Sequence, residues 1–70
     1  MGNSIECVGA VKAIHQSDNV DRWKREYQCF KADFGDLPKD DDLASGSSVM
    51  ILDTGEYAEY HRPTKSWNII

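Results

Sequence analysis

The run Ser48-Val49-Met50-Ile51-Leu52-Asp53 constrains the fold more than any other stretch of this chain. It is the most apolar segment, it lies between Gly46 and Gly55, and it is too short for a helix. It reads as a central strand covered on both faces. The residues after it turn the chain. Asp is favoured at the first position of a type I turn, where its side chain accepts a bond from backbone two residues on. Gly takes the left-handed conformation that completes a short hairpin loop. Asp53-Thr54-Gly55-Glu56 supplies both. Glu56-Tyr57-Ala58-Glu59-Tyr60-His61 then alternates as an edge-like strand, His61 to Ser66 form a second turn, and Trp67-Asn68-Ile69-Ile70 make a final short strand. These three strands form a β-meander.

The first half adds two more strands. Residues Ile5 to Ile14 are rich in β-branched and small side chains and are bent at Gly9. After a loop at Asp18-Asn19-Val20-Asp21, the segment Trp23 to Phe30 puts Trp23, Tyr27 and Cys29 on one face, with Arg25 interrupting it. Between the halves, "DFGDLPKDDDLASGSS" (33–48) combines acidic residues with breakers. Pro38–Ala44 has room for one helical turn, with Asp36 as its cap and Gly46 as its stop. Asp40-Asp41-Asp42 reads as a solvated loop, since the alternating ligands, Gly and terminal Glu of an EF-hand are missing. The expected fold is therefore mainly β: one small domain over residues 1–70, an antiparallel sheet or meander of four to five strands. Its expected core is Val8, Val11, Ile14, Tyr27, Cys29, Val49, Ile51, Ala58, Tyr60 and Trp67.

A chain of 70 residues makes one domain at most. It buries only about 60% of the surface that its unfolded form exposes, so association would help it. Net charge is −4 and uneven: residues 1–31 carry five positive and four negative side chains, residues 32–70 three and eight. An acidic second half argues against nucleic-acid binding, which depends on Lys and Arg. No run approaches the roughly 20 apolar residues of a membrane span. The start has neither the basic nor the apolar segment of a signal peptide. Met1-Gly2 would suit myristoylation, but Glu6 stands where that motif wants Ser or Thr.

Asp53-Thr54-Gly55 after apolar residues is also how a half-site of an aspartic protease begins. A homodimer would supply two carboxylates sharing one proton. Such enzymes follow the tripeptide with a small residue and later brace it with an apolar-apolar-Gly segment. Here Glu56 follows and no glycine comes after Gly55. The tripeptide is therefore expected to be a turn and not a catalytic loop. Cys7, Cys29, His15 and His61 are the soft metal ligands, at spacings that fix no pair on one face; no metal and no cofactor is expected. Cys29 with His61 lacks the orienting group of a nucleophile pair. Cys7 and Cys29 read as two small buried apolar residues, a bridge between them being the alternative.

Tyr60 and Trp67 are placed to meet across the last turn and cover the sheet. Tyr57 lies on the face opposite Ala58 and Tyr60, which makes it the better contact residue. Tyr57, Glu59, His61 and Trp23 form the candidate interaction surface.

"YQC" at 27–29, "LP" at 37–38, "GS" at 46–47, "DTGEYAEY" at 53–60 and "KSW" at 65–67 together resemble the ending of very small proteins encoded by phages and prophages. The resemblance covers roughly residues 27–70 and departs from the usual pattern at Glu59, where an apolar residue is typical. It implies a non-enzymatic virion accessory, in the head, head fibre or tail, that docks on a larger virion protein or self-associates as an oligomer. It also implies residence in the virion, and in the host cytoplasm during assembly, and it assigns no catalytic residue. The alternative is a soluble host-directed inhibitor made during infection, its acidic half suited to a basic target.

Overall fold

A computed structural model describes residues 4–13 and 22–70. Five strands form one sheet: β1 (Glu6–Ala13), β2 (Arg22–Cys29), β3 (Ser48–Ile51), β4 (Glu56–His61) and β5 (Ser66–Ile69). Their order in the sheet is their order in the chain. β1–β2, β3–β4 and β4–β5 pair antiparallel, while β2–β3 pairs parallel. The mainly-β expectation therefore holds. The all-antiparallel arrangement does not, and the reason lies in residues 30–47. A parallel neighbour needs a crossover of a dozen or more residues, and this connection has that length.

The crossover begins with a short 3-10 helix, Lys31–Asp36, and then lies over one face of the sheet. It supplies Leu37, Leu43 and Ala44 to the core. Strand alternation supplies the rest: Tyr27 and Cys29 from β2, Val49 and Ile51 from β3, Ala58 and Tyr60 from β4, and Trp67 from β5. The Trp67 indole sits between two tyrosines, edge-on to Tyr27 (6.0 Å between centroids) and tilted against Tyr60 (5.1 Å). Its Nε1–H donates to the Pro38 carbonyl at 3.0 Å, which fastens the crossover to the last strand. Near the far end, Trp23 N–H donates to Asp42 O and Ala44 N–H to Trp23 O, so the crossover pairs with β2 before it enters β3.

Several expectations are corrected. The helical turn expected at 38–44 is not there: short 3-10 segments lie at Lys31–Asp36 and Arg62–Thr64 instead, Leu37 (φ −59°, ψ 144°) leaves the helical region, and Leu43 is bridged to Trp23. The acidic run is not merely solvated. Asp42 takes a two-pronged bond from Arg25 (3.1 and 3.3 Å), and Asp41 O accepts Arg22 Nε–H. Arg25, which interrupts the apolar face of β2, thus pairs with the crossover at Asp42. β3 is covered on one face only: Val49 and Ile51 are buried while Met50 is exposed. Val8 and Val11 are exposed rather than core, since β1 is an edge strand that the crossover does not reach. Cys7 is exposed too, and both cysteines are free thiols. Burial pushes the Cys29 thiol up from its ordinary pKa. Ile14 and His15 lie outside the described residues. The bend expected at Gly9 is present as a register shift between Cys7 and Gly9.

Candidate functional site: the open face of the sheet

One face of the sheet lies under the crossover and the other is open. The strand registers place its residues in rows. Glu6, Gln28, Met50 and Tyr57 stand opposite one another across β1 to β4. Ile70 N–H donates to Tyr57 O at 2.8 Å, which extends that row past β5. Phe30 and Leu52 come two residues further along β2 and β3 and share the same face by alternation. They are held there by one backbone bond, Leu52 N–H to Cys29 O at 2.9 Å, and one backbone-to-side-chain bond, Phe30 N–H to Ser4 Oγ at 2.9 Å. Ser4 Oγ in turn donates to the Asp33 carboxylate.

The outcome is an apolar band. Phe30 (49% exposed), Met50 (37%), Leu52 (49%), Tyr57 (41%) and Ile70 (78%) all stand on this one face. The row beside it is polar: Gly9, Glu26, Ser48, Glu59 and Asn68. The Glu26 carboxylate lies over Gly9, 3.5 Å from where a Cβ would be. The Tyr57 hydroxyl donates to Ser48 Oγ at 3.3 Å, which tilts the ring toward the polar row and leaves its body in the band.

Of the residues expected to form the interaction surface, Tyr57, Glu59 and His61 are brought together on this face by the two-residue period of β4. His61 is the outermost, its Nδ1 within 3.0 Å of Thr64 Oγ1. Trp23 is not with them. It shares the parity of Tyr27 and Cys29 and so points to the opposite side of the sheet, where it is 37% exposed beyond the end of the cover. Phe30, Met50, Leu52 and Ile70 escape sequence reasoning. Their signal is the odd-even alternation inside Ser48–Asp53, which becomes readable only once coverage is known to be one-sided.

The Asp53-Thr54-Gly55 turn sits at the edge of the band, and its polar groups serve the fold. The Asp53 carboxylate accepts Lys31 N–H from the crossover at 2.9 Å, so it caps another segment and not its own turn. Thr54 Oγ1 takes the local role instead, accepting Glu56 N–H at 3.2 Å. Gly55 has φ +75°, which explains the glycine. Lys31 Nζ pairs with Glu56 at 3.0 Å, and that bond, with help from Thr54, holds the Glu56 carboxyl below its usual range. Among the described residues no group of three His, Cys, Asp or Glu side chains converges as a metal site would. Among the described residues no helix is long and apolar enough to cross a membrane. Comparison with protein-family models, with curated proteins and with solved structures finds no match to this chain.

Proposed function

We propose that the chain is a non-enzymatic phage structural protein, a virion accessory that docks on a larger head or tail protein or on copies of itself. The observation that carries the docking part is the apolar band, five large side chains exposed on one sheet face beside a polar row. The virion part rests on the phage-like ending of residues 27–70. The engagement of Asp53 with Lys31 N–H supports a structural turn over a catalytic one. In this reading the protein resides in the virion, and in the host cytoplasm during assembly, and needs neither cofactor nor nucleic acid.

Mass spectrometry of purified virions tests it. The chain is expected in particles at a fixed copy number; its absence from every particle refutes the reading. The second reading, a soluble host-directed inhibitor, is favoured by the carboxylates beside the band, which suit a basic target. A stoichiometric host protein recovered with the chain from infected cells, with none in particles, would select it.

A further inference from the structure

We infer that the apolar band takes one amphipathic helix of a partner protein, its apolar stripe flanked by Lys or Arg. The inference rests on the docking reading above and says what kind of element docks.

The size of the band comes first. From β2 to Ile70 beside β4 it crosses three strand spacings, roughly 14 Å at about 4.8 Å each. That matches nine or ten residues of helix at about 1.5 Å per residue. The exposed fractions of Phe30, Met50, Leu52, Tyr57 and Ile70 amount to apolar area on the order of 500 Å², at the size where a patch on a monomer is usually functional. A standard interface buries about 800 Å² per partner, of which about 60% is apolar. The band thus supplies the apolar share of one such interface and the polar row supplies its rim.

The backbone rules out an added strand, and the roughly 14 Å width suits a single helix. The band lies on the face of the sheet and not at its edge, and the ladder groups beneath it are already paired between strands. An occupant finds no N–H or C=O there to bond with. It must arrive with its own backbone satisfied, as a helix does.

Charge decides the partner. Glu6 ends the apolar row, and Glu26 and Glu59 run along its flank about 7 Å away, two residues along the strands. Among the described residues none of these three carboxylates enters a hydrogen bond or ion pair. Lys24 stands a further row out, its Cε within 3.0 Å of where a Cβ on Gly46 would be. A second copy stacked face to face would bring like charges to the same rim, which costs specificity and affinity. A helix bearing Lys or Arg beside its apolar stripe meets the carboxylates within side-chain reach.

The test uses the full chain and three synthetic peptides: an amphipathic Leu/Lys helix, the same composition scrambled, and a Leu/Glu helix of the same pattern. Chemical-shift mapping and titration read the result. The Leu/Lys helix is expected to shift Phe30, Met50, Leu52, Tyr57 and Ile70, and to bind at least about tenfold more tightly than either control. The charge-neutral changes Leu52→Asn and Met50→Gln, each checked for a native tryptophan spectrum, are expected to weaken it by about tenfold or more. Shifts centred elsewhere, equal binding of the scrambled or Leu/Glu peptide, or a dimer in light scattering that either variant abolishes would overturn the inference. The readings separate cleanly. Peptide binding with no chain in virions removes the virion role and keeps the surface; chain in virions without peptide selectivity removes the helix and keeps the role.

Discussion

Tyr60→Phe should make this protein more stable. Tyr60 is 2% exposed, its ring packs against Trp67, and among the described residues its hydroxyl has no hydrogen-bond partner. In the unfolded chain water satisfies that hydroxyl. Burying it unpaired costs about 1–3 kcal/mol. Phenylalanine keeps the ring and its contact at 5.1 Å from the Trp67 centroid. The vacated space is about 10 Å³, worth roughly 0.3 kcal/mol at the usual cavity cost. The net gain expected is about 1 kcal/mol, or about 4–8 °C in Tm for a domain of this size. Urea unfolding at pH 7, followed by tryptophan fluorescence, reads it as a higher midpoint at unchanged slope. The same residue fixes an alkaline signature. Burial raises the Tyr60 phenol above its ordinary 10.0, and burial also raises Tyr27. With folded pKa above unfolded, their contribution is full below about pH 10 and is lost as pH rises through the folded value. Tyr60→Phe should therefore flatten the alkaline fall in stability. Destabilisation by more than about 1 kcal/mol would refute the reasoning and show that the hydroxyl is satisfied in solution, by a buried water for instance.

The other predictions use the same unfolding assay. Trp67→Phe removes the Nε1–H bond to Pro38 O, strands that carbonyl and shrinks the ring between Tyr27 and Tyr60; a loss of about 2 kcal/mol is expected, and none at all would mean that the crossover is not fastened there. Gly46→Ala forces a side chain onto φ +91° and to within 3.0 Å of Lys24 Cε, for an expected loss of about 1–2 kcal/mol. Gly35→Ala, with nothing within 4 Å, should stay within about 0.5 kcal/mol of wild type, so equal losses at both glycines would undo that reading. The hydrogen bond from Arg25 holds the Asp42 carboxyl below its ordinary 3.8. A lowered folded pKa adds stability above the unfolded value, and that stability is lost as pH falls through the folded one. The side chains are 23% and 50% exposed, so Asp42→Asn should cost less than about 1 kcal/mol at pH 7, and less still in high salt; a larger or salt-independent loss would place the pair in the interior.

The local patterns in the sequence were legible where one short-range rule decides. Turn chemistry marks Asp53–Glu56, and alternation marks β4, so Tyr57, Glu59 and His61 were placed on a common face with only their own strand in view. The Tyr60–Trp67 contact followed from two strands and one turn. What was not legible depends on partners distant in the chain. Nothing in the run Ser48–Asp53 says that its neighbour β2 is parallel, because the direction is set by the path of residues 30–47. Nothing in Arg25 alone says that it holds Asp42. Val8 and Val11 have the composition of core residues, yet an edge strand beyond the reach of the crossover leaves them exposed. Asp53 shows the same limit in miniature: its residue type predicted a local bond, and a backbone N–H brought in from Lys31 took the carboxylate instead.

That limit sharpens the argument for the open face. The two-residue period that buries Val49, Ile51, Ala58 and Tyr60 must send Met50, Leu52, Tyr57 and Glu59 to the other side. Exposure there follows from geometry, but residue type does not. A face that merely lacked cover would be polar from end to end, and the neighbouring row of Glu26, Ser48, Glu59 and Asn68 shows that this sheet accommodates polar side chains without difficulty. The change from polar to apolar happens within one strand step on the same face, at the end where β2 and β3 finish. Neither strand propensity nor the core on the far side requires phenylalanine, methionine, leucine and isoleucine to gather there. The docking role proposed above would account for that gathering, and for a Tyr57 whose hydroxyl is held by Ser48 while its ring is 41% exposed.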